Sequence, residues 1–381
     1  MSNANTPNIT NMLNNAMSNV KQMKEDFVFY MILAITLIVI ILIIYYFIHL
    51  NGLENKECET MESKYGVLNK FVRSMNEGDP NSKGTLNDYY IKSAYNACSG
   101  GNYKNDFVNI CNLKYLLKQG VRGLDFEIYS INNEPVVATS TDENFYIKET
   151  FNYVKFADVL KTLTLYGFSS STAPNSTDPI ILHLRIKSNN QKIYSKMAKL
   201  FKYYENYMLG KEYSFENQGT NIGRTPLLQL RNKIVLVVNK NNNAFLENKD
   251  FLEFVNLTSS SIFMRSLYYY DVKNTPDINE LQNYNKKNMT IVYPDKGSDP
   301  ANPNGIVCRE TGCQMVCMRY QYDDGFLEEN EKFFNEGGYA FVLKPERLRY
   351  VERTIPAPTP QNKDLSYKTR NITTDHYSFN Y

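Results

Sequence analysis

LLKQGVRGLDFEIYSINNEPVVATSTD, residues 116–142, is the stretch that decides how the rest of the chain is read. A short helix at 116–118 passes through Gly120 into a strand at 121–128. That strand carries Asp125 and Glu127 at a spacing of two, so both carboxylates point to the same face. A polar turn at 131–134 leads to a second short strand at 135–138 and then to the loop 139–142. Two carboxylates near the end of a buried parallel strand, with a loop following, are the layout of a site at the mouth of a barrel.

On either side of this stretch the pattern alternates. The stretch YYIKSAYN (89–96) opens the folded part, and a helix at 156–165 precedes the apolar strand DPIILHLR (178–185). A helix at 190–209 is followed by a strand at 232–239, then by a strand at 261–270 and a helix-then-strand unit at 278–293. Strands and helices alternating at this spacing predict βα units around a parallel sheet.

Composition bounds the rest. With 30 Tyr, 21 Phe and no Trp in 381 residues, the chain has ample material for a sizeable core. A net charge of +2 leaves no electrostatic footprint for nucleic acid, so none is expected as a partner. The richness in Asn, Lys, Ile and Tyr suits an AT-rich genome, such as that of a large DNA virus or a protozoan. Residues 27–50, FVFYMILAITLIVIILIIYYFIHL, are uncharged and long enough to span about 30 Å of hydrocarbon. Tyr45, Tyr46 and His49 fall at the expected interfacial belt. The run is too long for a signal peptide, and no small-residue cleavage site follows it. Lys21 and Lys24 on one side are matched by Lys56 and Lys64 on the other, so the positive-inside rule leaves sidedness open. The sequons at Asn175, Asn256, Asn288 and Asn371 do not settle it either, because an Asn-rich chain produces them by chance.

Three further runs carry a resemblance. TGCQMV (311–316), GGYAFVLKP (337–345) with Leu348 and Arg349, and YYIKSAYN resemble, with GVRGLDFE, strands of the X and Y halves of eukaryotic phosphoinositide-specific phospholipase C. Matches in the right order at the right distances cover residues 86–350. The resemblance implies a (β/α)8 TIM-type barrel, here preceded by a single transmembrane helix. The organisation expected is a flexible arm at 1–26, the membrane helix at 27–50, a linker with a short helix (58–75) at 51–85, the barrel at 86–350 and a Pro-rich polar tail at 351–381. The six cysteines all follow the membrane segment. Cys313 lies in a motif that the family carries in the reducing cytosol, and Cys308, Cys313 and Cys317 lack partner histidines for zinc. Reduced or structural thiols are expected.

The family cleaves phosphoinositides with two histidines and a calcium ion. Position by position, Tyr95 stands where the first catalytic His would be and Thr139 where the second would be. Asn96 matches a calcium-ligand Asn, the E-x-D pair becomes Asp125-x-Glu127, and the last calcium-ligand Glu becomes Arg185. Arginine is always charged and cannot bind a cation. By strand parity it shares a face with both carboxylates, so a metal-free salt-bridge cluster is expected, with no calcium and no other cofactor. His183, two residues before Arg185, is read as a satisfied core histidine. The phosphate-holding lysines become Val237 and Asn239, and a family arginine becomes Ser298; Lys240 and Lys296 remain nearby.

These losses point to a catalytically degenerate barrel held at a membrane, of a virion or an organelle, as a structural or interaction module with protein partners. Two rivals stay open. One is a metal-independent phosphodiesterase, acting on a phosphoinositide or lysolipid, with a site rebuilt from Asp125, Glu127, Arg185 and His183. The other is a non-catalytic receptor for an inositol-lipid head group.

Overall fold

Apolar residues recur through eight short segments, and in the computed structural model each becomes a parallel strand around a barrel. The structure describes residues 9–142, 144, 146–214, 221–351, 356–362 and 365–381. In chain order the strands of the barrel unit are β1 (Tyr89–Ala94), β2 (Gly123–Ile131), β3 (Glu134–Ala138), β4 (Val154–Lys155), β5 (Ile180–Ile186) and β6 (Ile234–Asn239). They continue with β7 (Leu257–Ser259), β8 (Met264–Tyr268), β9 (Met289–Tyr293), β10 (Met315–Met318) and β11 (Phe341–Leu343).

The ladder runs β7-β6-β5-β2-β1-β10-β9-β8, all parallel, and among the described residues no strand ladder joins β7 to β8, so the barrel is nearly closed. On its margins β3 pairs antiparallel with β2, β4 with β3, and β11 with β1. Every residue of β1, β5, β6 and β9 is buried, as expected of strands covered on both faces. The two faces divide by parity. Leu124, Phe126 and Ile128 of β2 join Leu182 and Leu184 of β5 in the core beneath the helices, while Asp125 and Glu127 point inward with His183 and Arg185. Gly123 is needed for β1 and β2 to approach: a Cβ there would lie 2.1 Å from Ser93 Oγ.

Several boundaries differ from the sequence reading. The helix expected at 116–118 spans Ile110–Lys118, its first turn capped by the Asn109 side chain accepting from the Cys111 N–H. The strand expected at 261–270 is only Met264–Tyr268, and a short helix, Tyr269–Lys273, begins where its apolar alternation ends.

The largest departure is at the N-terminus. A single helix runs over Ile9–Tyr65, 57 residues or about 86 Å at 1.5 Å per residue. It is the one helix, among the described residues, long and apolar enough to cross a membrane, and its apolar side chains from Phe27 to Ile48 are exposed. The arm expected to be flexible is therefore helical from Ile9, and residues 1–8 lie outside the described residues. Neither Pro nor Gly interrupts residues 9–51, and extending an existing helix avoids the cost of nucleation. The helix expected at 58–75 is instead the end of this one, which stops at Gly66, where a Cβ would strike the Glu62 carbonyl oxygen at 2.4 Å.

The last turns of this helix pack on the barrel unit through Met61 and Tyr65, and a disulfide joins Cys58 to Cys111. That corrects the expectation of reduced thiols for this pair; Cys98, Cys308, Cys313 and Cys317 are free and buried. Residues 350–381 form a separate unit containing a small antiparallel hairpin, β12 (Asn371–Thr373) with β13 (Ser378–Asn380).

Candidate functional site

Asp125 and Glu127 come from the middle of β2, His183 and Arg185 from β5, and the register sets them side by side: Asp125 pairs with His183 and Glu127 with Arg185. Asn96 follows β1 in the left-handed backbone region, φ 44°, which aims its side chain and its N–H back into the barrel. Asn tolerates that conformation better than most residues.

The Arg185 guanidinium fills the centre. Its Nε donates to Asp125 Oδ1 at 3.0 Å, its Nη2 to Asp125 Oδ2 at 2.6 Å and to Asn96 Oδ1 at 2.9 Å, and its Nη1 to Glu127 Oε1 at 2.7 Å. Four of the five N–H groups of this fork are thereby bonded to the pocket's own residues. Tyr95 and Tyr293 flank the cation, with ring centroids 4.5 and 5.2 Å from Cζ. Asp125 is entirely buried, which alone would raise its pKa; Arg185 and His183 outweigh burial and hold the carboxyl well below the usual range. The same carboxylates push Arg185 the other way, well above its ordinary value, against the effect of burial. Glu127 is further tied by the Tyr129 hydroxyl at 2.6 Å and by the Ser140 N–H and Oγ at 3.0 and 3.1 Å.

His183 continues the network inward. Nδ1 lies 2.7 Å from Asp125 Oδ1 and Nε2 lies 2.7 Å from Ser259 Oγ. In the tautomer protonated at Nδ1, the ring donates to Asp125 and accepts from Ser259. This is an Asp–His–Ser relay in outline. Ser259 has no exposed surface, so no substrate atom reaches its hydroxyl in this conformation.

The other expected positions are dispersed. Tyr95 is buried against Tyr103 and Tyr293, and burial raises its phenol far above the ordinary value. Thr139 is buried and donates to the Tyr103 carbonyl at 3.0 Å. Val237 is a core residue of β6, while Asn239, also buried, reaches Ser260 and Ser266 at 3.4 Å. Ser298 is exposed, and its carbonyl accepts from the Tyr103 N–H. Lys240 is exposed, and Lys296 pairs with Asp142 at 3.2 Å. Residues not singled out from sequence for this network are Ser259, Tyr103, Tyr129 and Ser140, with Tyr293 placed only as the end of the helix-then-strand unit at 278–293. Tyr293 ends β9 on the inward parity, a signal that strand alternation could have supplied.

The donor set can be tested against calcium, which takes six to eight oxygens at about 2.3–2.6 Å. Asp125, Glu127 and Asn96 are suitable oxygens, but Arg185 holds all three side chains at 2.6–3.0 Å. A cation placed among them would meet a fixed positive charge. The residues do not fit the ion. Among the described residues, an opening lined by Arg185, Lys187, Asn239 and Asn242 measures about 50 Å³. Small-ligand pockets run to about 300 Å³ and more.

A parallel barrel with paired carboxylates at its mouth defines a recognisable class. The chain belongs to the phosphatidylinositol-specific phospholipase C family, whose X domain matches residues 83–240 and whose Y domain matches residues 240–347. Over 78 residues it is 38% identical to the 1-phosphatidylinositol 4,5-bisphosphate phosphodiesterase beta-4 of Bos taurus, a match covering 20% of this chain and 8% of that one. Over 126 residues it is 33% identical to phosphodiesterase gamma-2 of Rattus norvegicus, covering 32% of this chain and 9% of the other. Among solved structures, PLC21 of S. officinalis shares the fold with a TM-score of 0.57 at 21% identity, covering 72% of this chain and 39% of that one. The chain thus spans well under half the length of these relatives.

Proposed function

We propose that this chain is a membrane-anchored phospholipase-C-like barrel that has exchanged calcium for Arg185 and serves as a scaffold or interaction module rather than as a phosphoinositide phosphodiesterase. The observation that carries the reading is the guanidinium itself, bonded to Asp125, Glu127 and Asn96 at once. Phosphodiester cleavage by this family's chemistry needs a general acid and base near neutrality. Tyr95, with its phenol far above that range, and Thr139 supply neither. The long helix would hold the barrel at a bilayer, of a virion or an organelle, where the exposed loops are free to meet protein partners.

A second reading, a metal-independent phosphodiesterase, has one observation in its favour: the Asp125–His183–Ser259 line. One experiment separates the two. Full-length protein in mixed micelles is assayed for turnover of phosphatidylinositol and its 4,5-bisphosphate, with calcium and with chelator. The scaffold reading expects no turnover in either condition and no calcium-dependent shift in melting temperature. Turnover in chelator that disappears in Asp125→Asn and His183→Gln would establish the phosphodiesterase instead. Binding of the lipid head group without turnover, lost in Lys240→Ala, would make the barrel a receptor.

A further inference from the structure

We infer that Cys58–Cys111 is a cross-link made on an oxidising side of the membrane, and that the barrel stands on that side. The inference rests on the membrane-anchor reading of the long helix and adds the sidedness that its flanking charges leave open.

The geometry of the junction supports it. Cys58 lies about two turns before the end of the helix Ile9–Tyr65, and Cys111 lies in the first turn of the helix Ile110–Lys118. Their Cα atoms are 6.0 Å apart, inside the range a disulfide bridges. The fold holds them there by other means. Glu54 accepts from the side-chain amides of Asn109 and Asn152 at 3.0 and 3.3 Å, and Lys118 Nζ donates to the Gly66 carbonyl at 2.8 Å. Tyr65 donates from its hydroxyl to the Tyr320 carbonyl at 3.0 Å, and Gln119 donates to the Tyr65 and Val67 carbonyls. Two sulfurs seated by so many independent contacts are brought together whenever the domain folds.

The distribution of the other thiols is a second observation. Cys58 and Cys111 are the two half-buried cysteines, and they are the paired ones. Cys98, Cys308, Cys313 and Cys317 are 0–1% exposed, and burial pushes their thiols up, away from the reactive thiolate. No exposed free thiol is left to scramble the pairing. Disulfides persist where the surroundings are oxidising, and are rare where thioredoxin and glutathione act. In forming this one, the two thiols lose two protons and two electrons to a disulfide-bearing exchange oxidant of that compartment. The oxidant passes through a mixed disulfide and leaves as its dithiol.

The test uses the full chain with an epitope at each end, expressed in eukaryotic cells. Cells are quenched in acid and denatured with N-ethylmaleimide, and the protein is then reduced and labelled with maleimide-polyethylene glycol. Two additions are expected, and Cys58→Ser or Cys111→Ser should each abolish both. Because labelling is done on denatured chains, the result holds even if a variant folds poorly. In sealed microsomes, protease should remove the N-terminal epitope and spare the C-terminal one. Absence of reduction-dependent additions, or digestion of the C-terminal epitope in sealed vesicles, overturns the inference. Release of the chain by alkaline carbonate would overturn the anchor reading itself, and the sidedness with it; retention without additions would overturn the inference and leave the anchor reading standing.

Discussion

Arg185→Ala removes the guanidinium that faces both Asp125 and Glu127 and leaves the two carboxylates buried together. Breaking a buried ion pair by deleting one partner costs about 3–5 kcal/mol, because the remaining charge is uncompensated. Here the loss should fall near the lower end, about 3 kcal/mol. Asp125 keeps His183 and the Asn96 N–H, and Glu127 keeps the Tyr129 hydroxyl and two bonds from Ser140. For a domain of this size each kcal/mol moves the melting temperature by about 2–4 °C, so a drop of about 6–12 °C is expected. The pH dependence is the sharper test. In the parent, Asp125 is held below its unfolded value, so its contribution is present above the unfolded pKa and lost only as pH falls through the lower folded one. Between pH 7 and 5 it is therefore constant. In the variant, burial and the neighbouring carboxylate raise a folded pKa above the unfolded value, so the folded chain takes up a proton and gains relative stability as pH falls. The gap between parent and variant should narrow from pH 7 to pH 5, read by circular dichroism melts of full-length protein in detergent. A drop under about 2 °C, or a gap that does not change with pH, would refute the argument that Arg185 compensates both charges.

Two further groups give predictions of opposite sign. Glu57, in the last turns of the long helix, is 8% exposed and its Oε2 has no hydrogen-bond partner among the described residues. Burial, then the adjacent Asp106, raise it to about 10, so between pH 4.5 and 10 the folded chain holds a proton that the unfolded chain releases, and stability falls as pH rises. Glu57→Gln should stabilise the protein at pH 8 by about 1–2 kcal/mol and flatten that slope; an unchanged melting curve would count against it. Lys344, buried at the end of the barrel unit, donates to the Asn285 carbonyl at 2.9 Å, and burial lowers it to about 7 against the smaller pull of Cys313 and Asp88. The folded chain there gives up a proton that the unfolded chain keeps, so stability rises from pH 7 to 10.5, by up to about 4 kcal/mol. Lys344→Met should remove that rise in chemical denaturation series; a parallel rise in the variant would place its origin elsewhere.

How much of this was readable beforehand depended on which physical signal each part carries. The barrel follows from parity and spacing, which β2 and β5 display plainly, and the meeting of Arg185 with Asp125 and Glu127 follows from the same parity together with the family motif. Ser259 was not readable: β7 is only Leu257–Ser259, too short for any alternation to show, and its partner His183 is distant in sequence. The helical arm was hidden because its Asn-rich residues have modest intrinsic helix preference, while the adjoining apolar run lets the helix extend. The Cys58–Cys111 pairing depends on where a helix end docks, which cysteine spacing does not encode.

Seven ladders join the eight barrel strands, whereas a closed ring would have eight. The barrel is mechanically a clip rather than a hoop. Among the described residues no strand ladder crosses the gap between β7 and β8; the Ser261 N–H donating to the Met264 carbonyl at 2.9 Å and the Asn239 amide, 3.4 Å from Ser260 and Ser266, are bonds that lie near it. Breathing of the domain should concentrate along that line, with deuterium entering β7 and β8 sooner than β2 and β5. Ser259, the last residue of β7, stands beside that line with its Oγ 2.7 Å from His183 Nε2, so an opening of the clip would loosen the serine end of the relay first.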